Sequence, residues 1–178
     1  MKKLIYPVLG LALMFSVQSC MDNYKAKYLN EKTLADDAGI SLIKNGIEGG
    51  MTEIAASKIA LKNSQNPQVV SLAQMMIADH TKANKVLDSI EDDKLISEKD
   101  TISGEHKEML DSLQTKTGAA FDRAYVSMMI HDHKEAIDLF KDASDDKNQT
   151  IQDFARQTLP TIEQHLEMAK NIDASLNR

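Results

Sequence analysis

Residues 128–133 read Met-Met-Ile-His-Asp-His, and residues 75–80 repeat the pattern as Met-Met-Ile-Ala-Asp-His. Each copy lies in a long amphipathic stretch, and a helix advances about 100° per residue. On that wheel the second methionine, the aspartate and the histidine of each copy share one arc with apolar neighbours. Each copy therefore directs an acid and an imidazole toward a face that is otherwise apolar. The residues so placed are Asp79, His80, Asp132 and His133.

Apolar residues recur at helical spacing through most of the chain, which predicts four long helices and one short helix. The predicted bounds are residues 33–63, 67–90, 105–116, 119–143 and 150–176. No segment alternates with period two, so no strand is predicted. Long helices joined by modest loops favour an all-α fold, a ferritin-like antiparallel four-helix bundle with an additional short helix. A third histidine, His165, lies on the apolar arc of the last helix.

Three glycines, Gly46, Gly49 and Gly50, interrupt the first predicted helix. Each costs about 1 kcal/mol of helix propensity relative to alanine. Their clustering indicates a kink or the close approach of a neighbouring helix, and the alternative is a break in the helix. In the last helix Pro160 removes one backbone hydrogen bond, which predicts a kink near Arg156.

The N-terminus has the pattern of an export signal. Lys2 and Lys3 precede an apolar run, residues 4–17, that is short for a membrane-spanning helix. The run ends just before Cys20 in the manner of a bacterial lipoprotein signal, which predicts acylation of that cysteine. An ordinary secretory signal is the alternative. The predicted divisions are a signal peptide at residues 1–19, a lipid-anchored tether at 20–32 and a helical bundle domain at 33–178.

Charge and cysteine content limit the partners. The formal net charge of −6 becomes −8 once Lys2 and Lys3 leave with the signal, and no basic run remains. Nucleic acid is excluded because phosphate contacts need clustered Lys and Arg. The predicted partner is a membrane, reached through the N-terminal lipid, and the predicted location is the cell envelope, on the periplasmic or surface face of the outer membrane. Cys20 is the only cysteine, so the domain has no disulfide and no thiolate metal ligand.

Five stretches, in order along the chain, carry a resemblance to a known family. They are Gly-Gly-Met-Thr-Glu at 49–53, Asp-His-Thr-Lys-Ala-Asn at 79–84, Gly-Ala-Ala-Phe-Asp-Arg-Ala-Tyr at 118–125, Asp-His-Lys-Glu-Ala at 132–136, and Thr-Leu-Pro at 158–160 with His-Leu at 165–166. The chain resembles the domain-of-unknown-function family four-one-four-two. The resemblance implies a ferritin-like bundle in the cell envelope and supplies no activity.

A shorter likeness links residues 128–133 to a small helical family with a Met-x-x-His-His signature and links to copper. The chain departs from that signature because Asp132 precedes His133. Di-iron ferritin-like bundles are a separate comparison, since they place Glu-x-x-His on two helices. Here Ile77, Ile130 and Ile162 stand three residues before the three inward histidines. A di-iron oxidoreductase is therefore not expected, because a fold does not carry its chemistry with it.

Three inward histidines at one level would bind a divalent transition metal, because imidazole suits Zn, Cu, Ni and Fe. An aspartate would complete the ligand shell or orient a histidine, and Glu53, on the flank of the first helix, is a weaker fourth ligand. Methionines one turn from each histidine would add soft ligands suited to copper(I). The candidate metal ligands are His80, His133, His165, Asp79, Asp132 and Glu53.

The alternative interpretation is a buried polar layer without metal. Each histidine would then hydrogen-bond an aspartate of a facing helix and fix the register of the bundle. The pairs predicted for such a layer are Asp79 with His133, or Asp132 with His80. Three further side chains are assigned elsewhere: His131 to solvent, His106 to the edge of the bundle, and Tyr125 to the core or, through its hydroxyl, to the layer.

An enzyme is not expected, because the sequence has neither a Gly-x-Ser-x-Gly nucleophile motif nor a glycine-rich phosphate loop. The expected function is that of an envelope lipoprotein with an internal His/Asp layer, serving a structural, interaction or stress-protective role. The alternative function is a metal-binding module that uses His80, His133 and His165. Its cofactor would be a divalent transition metal or copper.

Overall fold

A computed structural model describes residues 35–94, 96 and 101–177. This part of the chain contains five helices and no strand, which confirms the predicted all-α fold. The helices are α1 (Asp37–Asn63), α2 (Pro67–Lys94), α3 (Gly104–Gln114), α4 (Gly118–Ala143) and α5 (Gln149–Leu176). Helix α1 begins four residues after its predicted start because Asp36 caps it, accepting hydrogen bonds from the amides of Ala38 and Gly39. Helix α2 continues four residues beyond its predicted end.

The four long helices form a bundle in which every neighbouring pair is antiparallel. Helix α1 packs most extensively against α2, and α4 against α5, while α1 also contacts α4 and α2 contacts α5. At the C-terminal end of α1, Asn63 donates a 3.0 Å hydrogen bond to the carbonyl of Lys116, just before α4. At the C-terminal end of α5, Ser175 donates to Gln68 in the first turn of α2. The short helix α3 lies against α1 and α4.

Helix α1 is continuous through its glycines, so the alternative of a break there was wrong. At Gly50 an added Cβ would overlap the Oδ1 of Asn84 on α2, which shows the predicted close approach of a neighbouring helix. Asn84 is fixed in place because its Nδ2 donates a 3.0 Å hydrogen bond to the carbonyl of Ile47. Gly49 has open space instead, with no heavy atom within 4 Å of an added Cβ. Helix α5 likewise continues through Pro160 without interruption.

The apolar core has two parts along the bundle axis. The Tyr125 cluster holds the buried residues from the C-terminal half of α1, the first halves of α2 and α4, the short helix α3 and the end of α5. The Phe140 cluster holds those from the first half of α1, the end of α2, the end of α4 and the first half of α5. Between the clusters each long helix contributes one buried titratable side chain. These are Glu53, His80, His133 and His165.

None of the described helices is long and apolar enough to cross a membrane. The predicted signal peptide, the Cys20 lipidation site and the tether lie outside the described residues, so these stay predictions.

The contrast between Gly50 and Gly49 gives a direct test of helix packing. Both Gly50→Ala and Gly49→Ala gain the same helix propensity, but only the first forces a methyl group against Asn84. We expect Gly50→Ala to be less stable than Gly49→Ala by about 1–3 kcal/mol, the usual cost of overpacking. Urea denaturation of the two variants measures the difference, and equal free energies of unfolding would contradict the close α1–α2 approach.

Candidate metal centre

The polar side chains between the two apolar clusters lie within one layer of the bundle. Glu53 comes from α1, His80 from α2, His133 from α4 and His165 from α5. Their relative exposures are 4%, 8%, 1% and 2%. The three histidines lie at the inward positions that helical spacing gives them, and Glu53 joins them from the flank of the apolar arc; each is flanked along its own helix by core residues of the two clusters. Four helices therefore deliver four titratable groups to a site that bulk water hardly reaches.

The three imidazoles are close enough to share one ion. A set of ring nitrogens, one from each histidine, lies within 4.8 Å of one another. The Nε2 of His133 and the Nδ1 of His165 are 3.3 Å apart. Metal–nitrogen bonds of about 2.0–2.1 Å put two ligands of a tetrahedral site about 3.4 Å apart. The His133–His165 pair already has that separation, and His80 lies close enough to join it after a small adjustment.

The other nitrogen of each of these two rings is held by an acceptor. His133 donates its Nδ1–H to the carbonyl of Met129, one turn earlier on α4, at 2.9 Å. His165 donates its Nε2–H to the Oδ2 of Asp79 at 3.0 Å. A carbonyl and a carboxylate can only accept, so these contacts assign the tautomers of both rings. The nitrogens that face each other, His133 Nε2 and His165 Nδ1, therefore both carry lone pairs in the neutral state.

Glu53 links two of the rings. Its Oε2 lies 2.6 Å from the Nε2 of His80, and its Oε1 lies 3.2 Å from the Nδ1 of His133. The His80 contact is short but lacks the alignment of a hydrogen bond, so the buried Nε2 of His80 has no hydrogen-bond partner. With Asp79 beside His165, each of the three imidazoles has a carboxylate oxygen within 3.2 Å of one ring nitrogen.

Mutual electrostatics set the protonation of the layer. Burial alone would raise the pKa of Glu53, but attraction to His80 and His133 outweighs it and lowers that pKa below its ordinary value. Burial likewise opposes charge on His133, yet the Glu53 carboxylate raises the pKa of His133. Burial and the charge of His133 lower the pKa of His165 despite its bond to Asp79. The layer thus favours one proton between His133 and His165 and resists a second.

The carboxylate partners differ from the predicted ones. Asp79 accepts from His165 rather than from His133, and Glu53, not Asp132, contacts His80. The predicted pairs were wrong because a helical wheel gives the face of a residue but not which facing helix lies opposite it. Glu53 was rated a weak ligand because it sits on the flank of the apolar arc. A signal for its burial was present, since Glu53 shares a 4-3-4-3 spacing with small residues of α1. These are Gly46, Gly50, Ser57 and Ala60.

The remaining polar candidates lie around the site. Asp132 is half-buried, and no ion pair or hydrogen bond joins it to His80. His131 is exposed and lies 3.4 Å from Glu135, as predicted for a solvent-facing residue. His106 lies at the bundle edge, where its Nδ1 is 2.7 Å from Glu48 on α1.

Tyr125 and the methionines belong to the apolar part of the core. Tyr125 is fully buried, stacks on Phe121 and shares a 2.8 Å hydrogen bond with Ser57, one turn beyond Glu53. Met76 and Met129 are fully buried members of the same Tyr125 cluster, and Met168 packs against it. The methionines thus have a packing role, which weakens the copper(I) interpretation.

One family model and one solved structure are similar to this chain. The family model described as domain of unknown function (DUF4142) matches residues 27–172. A crystal structure of a DUF305 fragment from Deinococcus radiodurans is similar to this chain with a TM-score of 0.70 and 17% sequence identity. The similarity covers 80% of this chain and 99% of that one. At this identity the likeness shows a shared helical fold and nothing about activity. No curated protein matches the chain.

Asp132 makes stability depend on pH. Burial raises its pKa to about 7, and the nearby Glu53 charge adds to the shift. An unfolded aspartate titrates near 3.9. The folded state therefore holds the extra proton between about pH 4 and pH 7, and stability falls as pH rises through that range. We expect Asp132→Asn to gain about 1–2 kcal/mol over wild type at pH 8, after a discount for partial exposure, and to gain little at pH 4.

Thermal or urea unfolding in the presence of a chelator measures this gain. Asp138→Asn is the matched control, because Asp138 is an exposed aspartate on the same helix. The same gain in both variants, or a gain that does not change with pH, would contradict the assignment to Asp132.

Proposed function

Because this chain belongs to the DUF4142 family, whose description assigns no activity, we propose from the site alone that it binds one divalent transition metal through His80, His133 and His165. The protein is then a metal-binding module of the cell envelope rather than an enzyme. Its three ligands come from three helices, so the ion would tie α2, α4 and α5 together at mid-bundle.

The observation that carries the proposal is the pair of facing nitrogens. His133 Nε2 and His165 Nδ1 point lone pairs at each other across 3.3 Å, because Met129 and Asp79 hold the protons on the opposite sides of the rings. Two lone pairs at that distance repel each other unless a cation lies with them. In the metal-free protein the cation is a proton, and a metal ion would replace it. Acceptors behind the ligating rings are the usual second shell of metal-bound histidine.

The ligand set favours a divalent ion of the middle or late transition series. Three neutral imidazoles with one open position resemble the donor set of a three-histidine zinc site. Affinities for such nitrogen ligands rise toward Cu²⁺ and remain high for Zn²⁺. The Glu53 carboxylate beside two of the rings adds a negative charge that stabilises a divalent ion more than a monovalent one.

A second function is favoured by the fact that every imidazole already has a carboxylate neighbour. The layer would then fix the register of the four helices without a metal, as buried polar networks do. Both functions predict that loss of His133 destabilises the protein, because Glu53 and Met129 lose their partner. Only the metal function predicts uptake of an ion.

The envelope location is part of the same proposal. A lipid on Cys20 would hold the bundle at a membrane surface, where a metal-binding module meets ions before they reach the cytoplasm. The support is the sequence pattern at residues 4–20.

Metal uptake is the primary test. We expect the purified full-length chain to bind one Zn²⁺, Cu²⁺ or Co²⁺ per molecule, and His133→Gln to weaken binding by at least about 100-fold, more than the 10–100-fold typical of an outer partner. His131→Gln is the control, since His131 is exposed on the same helix. Binding should weaken as pH falls through the raised pKa of His133, because the metal must displace the proton that His133 and His165 share. Competition with a chromophoric chelator measures the affinities.

The result also separates the two functions. A wild-type protein that binds no ion at micromolar concentrations, yet loses stability in His133→Gln, would leave the register-fixing layer as the function. Equal affinities of His133→Gln and His131→Gln would show that the ion binds elsewhere. Metal that binds at the site must raise the melting temperature, because it binds the folded state.

The anchor has its own test. We expect Cys20→Ser to move the protein from the membrane fraction to the soluble fraction, since an unmodified side chain at residue 20 carries no acyl chain. Fractionation with detection of the protein measures this. Retention of the variant in membranes would show that the N-terminus is not a lipoprotein signal.

A further inference from the structure

A cavity of about 340 Å³, walled mainly by α1, α2 and α4, reaches the metal centre. Its wall includes Glu53 and His80 but neither His133 nor His165. The volume is more than an order of magnitude above the roughly 10–15 Å³ that one water needs. The two hidden histidines are almost fully buried, so an ion needs a path through the protein to reach them. The cavity is such a path.

The polar groups of the cavity wall are hydrogen-bond acceptors. The Nδ2 of Asn84 is bound to the carbonyl of Ile47, which leaves its Oδ1 buried and without a partner. Asn84 is only 9% exposed. The Nδ2 of Asn45 is likewise bound to Ser41, so it too offers an oxygen. The carboxylates of the wall are Glu48, Glu53, Asp132 and Glu135.

The wall offers few hydrogen-bond donors, chiefly the second N–H of each asparagine amide. Among the described residues that line the cavity there is no lysine or arginine. The Thr52 hydroxyl donates to the carbonyl of Glu48, and His106 is paired with the Glu48 carboxylate at 2.7 Å. An anion would find no free charged donor here and several negative charges. The water molecules around a hydrated cation point their O–H groups outward. They can therefore donate hydrogen bonds to the oxygen atoms of this wall.

We propose that this cavity is the route by which a hydrated divalent cation reaches the three-histidine site, with Asn84, Glu135 and Asp132 accepting hydrogen bonds from its water shell. The inference rests on the proposed metal function and specifies how the ion arrives. Passing from the cavity to the ligands, the ion exchanges water for the nitrogens of His80, His133 and His165. Clefts lined by one sign of charge raise the association rate of the opposite charge.

Gly49 allows the route to be narrowed without disturbing the ligands. It lines the cavity, and a Cβ added there meets no heavy atom within 4 Å, so no histidine lies that close to it. Gly49→Leu would place a branched side chain at the cavity wall, and Gly49→Ala is the control with the same backbone change. We expect Gly49→Leu to slow the association of Co²⁺ with the full-length chain about tenfold or more, with the equilibrium affinity changed much less, and Gly49→Ala to match wild type. Stopped-flow absorption of Co²⁺ measures the rate.

A charge variant gives a second, independent measurement. Glu135→Gln removes an exposed carboxylate at the cavity, and Asp138→Asn removes one from the same helix outside it. We expect only Glu135→Gln to lower the association rate at low salt, by a few-fold, and the effect to shrink as salt screens the charge. A Gly49→Leu variant that takes up Co²⁺ at the wild-type rate would contradict the proposed route but not the metal function. A wild-type protein that takes up no Co²⁺ at equilibrium would overturn both.

Discussion

A buried carboxylate in contact with two buried imidazoles is the constraint on which the rest of this bundle depends. Glu53 reaches His80 and His133 from a third helix, and its charge keeps the His133 pKa high while those rings keep its own pKa low. Such a group is tolerated in a core only when its partners are held in place. The two apolar clusters on either side supply that restraint, because they fix where each helix can sit.

The same constraint explains the small residues of α1. Gly50, three residues before Glu53, allows α2 to come close enough for Asn84 to bind the carbonyl of Ile47 on α1. A side chain at Gly50 would push away the helix that carries His80. The cavity beside these residues is bounded by the same helix pair and by α3 and α4. Helix α1 therefore packs closely against α2 at Gly50 and leaves open space at Gly49. Although α1 carries no histidine, it positions the residues around the site.

Register fixing and metal binding are linked in such a layer. Met129 and Asp79 accept hydrogen bonds from His133 Nδ1 and His165 Nε2, the ring nitrogens that do not face each other. These bonds orient the two rings in the same way whether a proton or a metal ion lies between them. The difference lies in the facing nitrogens of His133 and His165, which leave a position that only a cation can fill.

The sequence by itself determined the helices and the direction of their histidines, because helical periodicity is a local property. Capping is local in the same way, since Ser103 accepts a hydrogen bond from the amide of His106 and Asn66 accepts one from the amide of Gln68. Only the tertiary structure decided the partners. Which acid meets which imidazole depends on the height and order of four packed helices, and that is why Glu53, read as a flank residue, lies at the centre while Asp132 stands beside it.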